Sequence, residues 1–214
     1  MYLDLHSHSV SSDDSRANVE QYVKWIGVLR RKGHQIDGFV LTEHRKFDFD
    51  KDYTELGAEN DVLILKGSEL DTNMGHFLVY GVTEELTQQV NFGDVHMDAL
   101  KLVAAAEETG AVAIPAHPGR FGIGLCEFPD NDFSMIRAAE RFNGSNRPGE
   151  QDRAEEFISQ LGLPSTGGSD AHLVSAIGKC MTKFNSDIAS VQDLVSHLKD
   201  GGFEPVWLDD TKQE

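Results

Sequence analysis

The sequence has few cysteines and few basic residues, and each shortage excludes a class of protein. Its 214 residues include two cysteines, Cys126 and Cys180, which are too few for a disulfide framework, and we expect both to be small buried groups. Nineteen basic residues stand against 36 acidic ones, which gives a formal net charge of -17. Such a surface repels polyanions, so we expect no non-specific nucleic-acid binding.

We expect neither a membrane segment nor a leader from the sequence. No apolar run approaches the roughly 20 residues that a membrane span needs. The chain starts MYLDLHSHS, without a basic region and an apolar stretch before it, so we expect no secretory signal. These observations predict a cytoplasmic protein without a membrane partner. The hydrophobic content of 39% suffices for one compact core, and we assign residues 1–214 to a single domain.

Two common catalytic motifs are missing as well. No GxxxxGK[ST] occurs, which excludes a phosphate loop of that kind. No serine lies in a GxSxG elbow, and neither cysteine neighbours a histidine in the sequence. A serine or cysteine nucleophile therefore has little support.

Short apolar runs alternate with segments of helical spacing along most of the chain. The runs predict strands at Met1–Leu5, Ile36–Leu41, Val62–Gly67, His76–Val82, Ala111–Ala116, Arg137–Phe142, Pro164–Gly168, Cys180–Phe184 and Phe203–Leu208. Helical spacing predicts helices at Ala17–Lys32, Met97–Thr109, Gln151–Leu161 and Ile188–Lys199. Such alternation indicates an α/β fold with a largely parallel sheet. The sheet is either closed into a small distorted barrel or open.

The histidines fall close to the ends of these predicted strands. Catalytic groups collect at the C-terminal ends of strands in parallel α/β folds, so residues far apart in sequence converge there. The candidates are His6, His8, His44, His76, His117 and His172, with the acids Asp13, Glu69 and Asp170. His76 differs in detail, because it begins its apolar run instead of following one. Three further histidines, His34, His96 and His197, lie elsewhere, and we assign them no role.

Imidazole and carboxylate groups together are typical ligands of zinc, manganese or iron. In an extended His-x-His both side chains share one face, so His6 and His8 can bind one ion. The number of candidates exceeds what one tetrahedral ion takes and indicates two to three divalent ions, with Glu69 as a bridge. Arg120, and less strongly Arg45, are candidates for binding phosphate oxygens. We expect Glu140 and Asn143 to be hydrogen-bonding partners near the site.

The ordered motifs LDLHSHSVSSD, LTEH, GSE, GHFLVYG, AHPGR and GGSDAH resemble those of the PHP domain (polymerase and histidinol phosphatase) family. They run from residue 3 to residue 172 and so cover most of the chain. The resemblance implies a distorted (βα)7 TIM-like barrel with three ions at the strand ends. It implies three ligand sets, which are His6, His8, Glu69 and Asp170; Glu69, His76 and His117; and Asp13, His44 and His172.

The chain departs from the family pattern at several positions. The usual TDH is here Thr42-Glu43-His44, and Arg45 follows where Asp is common. Asp13 resembles the branch of small nucleotide phosphoesterases, yet none of the gaps between motifs is long enough for the substrate domain often inserted there. The substrate-binding part of that branch is therefore not expected in this chain.

These observations predict a metal-dependent phosphoesterase that hydrolyses a phosphate ester of a small metabolite or nucleotide with metal-activated water. Its partner would be a small phosphorylated substrate. We expect Glu69 and Asp170 to hold the ions and His172, or a water, to protonate the leaving group. Two alternatives stay open at this point. One is hydrolysis of a carboxylic ester or amide at the same site, and the other is a metal-binding regulatory module without turnover.

Overall fold

Nine strands and six α-helices make up the fold in the computed structural model, which describes residues 1–212. The strands are β1 (Tyr2–Ser7), β2 (Gly38–His44), β3 (Leu63–Thr72), β4 (Gly75–Tyr80), β5 (Val112–Pro115), β6 (Ala139–Asn143), β7 (Ser165–Gly168), β8 (Cys180–Phe184) and β9 (Phe203–Trp207). The helices are α1 (Val19–Arg31), α2 (Thr54–Asn60), α3 (Glu84–Gln89), α4 (Ala99–Glu108), α5 (Glu150–Leu161) and α6 (Val191–Asp200). Each strand overlaps a run predicted from the sequence.

The strands form a curled seven-stranded sheet, in the order β5-β4-β3-β2-β1-β8-β9, and a separate pair, β6-β7. A mixed α/β fold is therefore confirmed. Within residues 1–212 the strand ladder does not close, so the structure does not confirm the complete (βα)7 barrel that the family resemblance implies. The shorter pair packs against the larger sheet, since β7 contacts β1, β8 and β9.

The expectation of a largely parallel sheet was wrong. The pairs β1-β2, β2-β3 and β6-β7 are parallel, whereas β1-β8, β3-β4, β4-β5 and β8-β9 are antiparallel. Only Asn73 and Met74 lie between β3 and β4. A connection of two residues can join antiparallel strands, whereas parallel strands need a much longer crossover. The apolar runs did predict where the strands lie, but not which way each one runs.

Helix α1 shows how local sequence sets the boundaries of an element. The Asn18 side chain accepts the backbone N–H of Gln21, and the Gln21 side chain accepts that of Asn18, which closes a capping box. Tyr22 and Ile26 lie one turn apart and are fully buried against the sheet. Gly33, with φ of 90°, follows the C-terminal end in the left-handed region that favours glycine.

Strand β1 runs through the middle of the larger sheet and brings the first candidates to its face. Its side chains alternate, so Leu3 and Leu5 point into the apolar core while Asp4 and His6 point to the opposite face. His8 continues this second face beyond the end of the strand. No α-helix among residues 1–212 is long and apolar enough to span a membrane.

Candidate metal centre

Six histidines converge at one end of the sheet, and we call them the histidine cluster: His6, His8, His44, His76, His117 and His172. His6 and His8 are fully buried, and their Nε2 atoms lie 3.1 Å apart. The rings of His8 and His44 stack at 4.1 Å between centroids. The His8 ring lies 4.4 Å from that of His172. Strand ends far apart in the sequence thus supply one continuous set of ring nitrogens.

The carboxylate of Glu69 lies at the centre of the histidine cluster. The parallel pairing of β2 and β3 places Glu69 opposite His44, and the antiparallel pairing with β4 brings His76 close on the other side. One oxygen, Oε1, lies 3.1 Å from His76 Nδ1 and 2.9 Å from His117 Nε2. The other, Oε2, lies 3.1–3.3 Å from ring nitrogens of His6, His8 and His44.

Ligand atoms of these residues form three groups, each with its atoms within 4.8 Å of one another. The groups are His6, His8, Glu69 and Asp170; Glu69, His76 and His117; and His8, His44 and His172. The structure thus brings eight of the nine proposed ligands together, and Glu69 belongs to two groups. His8 stands in the third group where the family resemblance placed Asp13.

The donor set fits divalent cations on its own chemistry. Glu69 Oε2 is buried and accepts no hydrogen bond from the residues that the structure describes, although ring nitrogens surround it. A buried carboxylate oxygen without a donor is costly, and a cation among these lone pairs would satisfy it. Imidazole with carboxylate is a ligand combination that zinc, manganese and iron accept.

Electrostatics within the site couple the imidazoles to the acids. Burial by itself lowers the pKa of His6, but the carboxylates of Glu140 and Asp170 outweigh it and hold that pKa well above its usual value. Burial also opposes the shift of His8, but its close contacts with the carboxylates of Asp170 and Glu69 raise its pKa to about 9. Burial would raise the pKa of Glu69, yet facing positive imidazoles keep it well below its usual range. The carboxylates stay ionised because positive charge faces them.

Two of the proposed ligands have an unusual backbone conformation. His117 has a φ of 31° and Asp170 a φ of 52°, in the left-handed region that non-glycine residues rarely adopt. Such strain persists only where surrounding contacts determine the conformation, and it concentrates at functional sites. At Asp170 the backbone N–H donates to the His6 carbonyl at 2.8 Å. The strained backbone thus places the Asp170 side chain against the cluster.

Asp14, and not Asp13, faces the third group. Its Oδ2 atom lies 3.3 Å from His44 Nε2 and 3.2 Å from His172 Nε2. Among residues 1–212 no ion pair joins Asp13 to a histidine, and its side chain is exposed. The two acids are adjacent in SVSSDDS, so motif spacing alone does not predict which of them faces the histidines.

Glu140 supports the centre from behind. Its Oε1 accepts the Nδ1–H of His6 at 2.9 Å, and its Oε2 accepts the backbone N–H of His117 at 2.7 Å. Asn143 Nδ2 donates to the same Oε2 at 2.9 Å. These contacts fix the imidazole of His6 and the backbone of His117, as we expected for hydrogen-bonding partners near the site. The close approach of Gly168, where an added Cβ would lie 2.4 Å from His6 Cβ, completes this packing.

Both candidate arginines lie at the mouth of the centre. Arg120 donates to Asp170 Oδ2 at 2.7 Å, and its side chain is partly exposed. Arg45 extends to the rim, 3.4 Å from Asp71 Oδ2. Asp71, which sequence reasoning did not single out, also lies 3.4 Å from His76 Nε2.

Comparison with known sequences identifies one segment. A family model described as PHP-associated matches residues 148–202, which include α5, β7, β8 and α6. This segment contains Asp170 and His172. No curated protein matches the sequence.

Several solved structures share the fold at low sequence identity. PsfC from Pseudomonas syringae has a TM-score of 0.67 at 20% identity, covering 98% of this chain and 92% of that one. A protein of Bifidobacterium adolescentis described as a metal-dependent phosphoesterase has a TM-score of 0.54 at 16% identity, covering 81% and 88%. Endonuclease Q, in complex with a 27-mer duplex carrying an abasic lesion, has a TM-score of 0.68 at 16% identity, covering 95% of this chain and 57% of that one.

The endonuclease Q complex contradicts the expectation of a small phosphorylated substrate without non-specific nucleic-acid binding. Endonuclease Q, which shares this fold over 57% of its length, is in complex with a 27-mer duplex substrate that has an abasic lesion at the active site. The net charge of this chain therefore does not exclude a nucleic-acid substrate. Net charge describes long-range repulsion, whereas binding at a site depends on the groups at its mouth. The PHP-associated segment and the shared fold agree with the resemblance of the ordered motifs to the PHP-domain family.

Proposed function

We propose that the chain is a metal-dependent phosphoesterase that cleaves phosphate esters of nucleic acid, with two to three divalent ions held by the histidine cluster, Glu69 and Asp170. One observation carries this proposal: the Glu69 carboxylate belongs to two adjacent ligand groups, while Arg120 donates to Asp170 beside them. A multinuclear centre next to a guanidinium suits a phosphoryl group better than a carbonyl group.

The ions and the protein residues have separate tasks in this proposal. When bound, zinc, manganese or iron ions lower the pKa of water to about 7 and neutralise phosphoryl oxygens. The buried acids Glu69 and Asp170 hold the ions. Arg120 orients the phosphoryl oxygens, and Arg45 at the rim contacts a neighbouring phosphate.

His172 is suited to proton transfer by its orientation. Its Nδ1 lies 3.0 Å from the carbonyl oxygen of Asp170, which can only accept, so Nδ1 carries the proton and donates. The Nε2 atom is then directed to the partly exposed mouth, 3.2 Å from Asp14 Oδ2. If only the two groups that share Glu69 hold ions, a protonated Nε2 in this position would donate to the leaving oxygen of the ester.

Nucleic-acid esters are compatible with the acidic surface because the mouth carries positive charge. Arg45, Arg120 and Arg147 lie around it, and bound ions add further charge. Repulsion from the remainder of the surface, which the net charge of -17 implies, favours short or terminal segments over long duplexes.

The experiment measures metal content and turnover together. The purified protein is analysed for bound zinc, manganese and iron, and assayed on short DNA, bis(p-nitrophenyl) phosphate and an acetate ester. We expect phosphodiester cleavage that is lost in Glu69→Gln and Asp170→Asn and kept in Glu59→Gln, an exposed acid on α2. Cleavage of the acetate ester alone, or a metal-free protein inert on every phosphodiester, contradicts the proposal.

A further inference from the structure

A cavity of about 440 Å³ opens directly beside the metal centre. Asp170 and His172 form its inner wall, and the remaining lining consists of Arg120, Phe121, Ile123, Ser145, Arg147 and Glu150. This volume falls within the range of about 300–1,000 Å³ that small-ligand sites occupy. The cavity is continuous with the residues proposed to cleave the ester, so its occupant is part of the substrate.

The outer wall of this cavity is built by one buried acid. Glu150 is 1% exposed, and its Oε1 accepts the backbone N–H of Phe121 at 3.2 Å. Its Oε2 accepts the backbone N–H of Arg147 at 2.8 Å. One carboxylate therefore joins the loop after β5 to the loop after β6. The buried Glu150 carboxylate therefore fixes the backbone positions of both Phe121 and Arg147.

Phe121 presents an aromatic face that the protein core does not use. Its side chain is 57% exposed, and the guanidinium carbon of Arg153 lies 4.7 Å from the ring centroid. This cation–π contact supports the ring from one side. Proteins that bind single-stranded nucleic acid stack bases on exposed aromatic rings next to basic side chains. Phe121, with arginines beside it, is a residue of this kind. Ile123, 40% exposed, extends the apolar surface.

We propose that this cavity binds one nucleoside of the substrate strand, with its base stacked on Phe121 and the adjoining phosphate on Arg147; the assignment rests on the proposed function. Stacking requires only an aromatic ring, so the cavity selects for the presence of a base and not for its identity. The partner is a single strand, whose bases are free to stack on an exposed aromatic ring.

The test compares two single strands of equal length and charge, a fluorescent oligo(dT) 10-mer and its abasic counterpart. Both carry phosphorothioate linkages to slow hydrolysis. We expect the metal-loaded protein to bind oligo(dT) about tenfold more tightly, as stacking of one base provides. Phe121→Ala should abolish this preference without changing affinity for the abasic strand, and Phe121→Trp should retain it. The matched control is Phe49→Ala, since Phe49 is 46% exposed and does not line the cavity.

The inference is overturned if Phe121→Ala keeps the preference, if it weakens both strands equally, or if the wild-type protein binds neither strand. Its failure is distinct from failure of the proposed function. Phosphodiester cleavage without a base preference would contradict the proposed base-binding cavity but agree with the proposed phosphoesterase activity. If the protein is inert on every phosphodiester but shows a base preference that depends on Phe121, the proposed activity is contradicted and the proposed base-binding cavity is supported.

Discussion

At the scale of single residues, the most consequential detail is which of two adjacent acids faces the third ligand group. Asp14 Oδ2 lies within 3.3 Å of ring nitrogens of both His44 and His172, and Asp13 is exposed to solvent. If an ion is bound by this group, a carboxylate in this position would add a negative oxygen ligand to two imidazoles. Asp14 is itself more than half exposed, so a change there removes the ligand without disturbing the core.

We expect Asp14→Asn to lower the number of bound ions per chain, because the amide is a weaker ligand than the carboxylate. Asp13→Asn is the matched control and should leave metal content unchanged. Elemental analysis after dialysis gives the ion count, and competition with a chelator gives the affinity. Loss of metal in Asp13→Asn with retention in Asp14→Asn would reverse the assignment.

Glu140 affords a second prediction at this scale. Its two oxygens accept from His6 Nδ1 and from the His117 backbone N–H, whereas glutamine has one accepting oxygen and directs an amide against the other donor. Partners of this kind change metal affinity by about 10–100-fold, so we expect Glu140→Gln to weaken metal binding to this extent. Chelator competition measures the change. Glu155, which is partly exposed and paired with Arg141, offers the control Glu155→Gln, and equal affinities in the two variants would contradict the role.

At the scale of elements, the end of β2 holds the loop that carries Asp14. The Glu43 carboxylate accepts the Ser9 hydroxyl and the Ser12 hydroxyl, each at 2.5 Å, together with the Ser9 backbone N–H. Aspartate is usual at this position in the family, and the extra methylene of Glu43 lengthens the reach from the strand to the loop. The departure from the TDH motif is therefore part of how this loop is attached.

We expect Glu43→Asp to destabilise the protein by about 1–3 kcal/mol, since the shorter side chain leaves buried donors of the loop unpaired. Urea unfolding of the metal-free protein measures this difference. Glu55→Asp, an exposed position in the first turn of α2, is the control and should unfold with the wild type. A Glu43→Asp variant as stable as the wild type would show that the loop is held by other contacts.

The same elements show what the sequence could and could not predict. Apolar runs predicted the location of every strand because burial depends on local composition. The direction in which strands pair was not predicted, because parallel and antiparallel strands have similar apolar runs. The antiparallel pairing of β3 and β4 depends on the tight turn at Asn73 and Met74. Helices α2 and α3, of seven and six residues, are too short for a helical period to stand out. Ligand types followed from the motifs, whereas Asp14 and the partners of Glu140 depend on side-chain directions that only the folded chain defines.

At the scale of the whole molecule, charge is distributed so that a strongly acidic chain can still have a site for anions. The net charge of -17 belongs to the entire chain, whereas the acids at the centre face imidazoles and Arg120. The opposing charges make stability depend on pH and on metal. Protons and metal ions compete for the same ring nitrogens.

The final prediction follows from that competition. In the metal-free protein the pKa of His8 is raised from 6.5 to about 9, so the folded state binds more protons than the unfolded state between these values. The stability this provides is complete below about pH 6.5 and is lost as the pH rises through 9.

We expect the Tm in EDTA to fall from pH 6.5 to pH 9.5, and the Tm gain on adding zinc or manganese to grow over the same interval. His8→Gln should flatten the fall, whereas His96→Gln, at an exposed position outside the cluster, should follow the wild type. Scanning calorimetry at four pH values measures both trends, and a metal-dependent gain that stays constant with pH would refute the coupling.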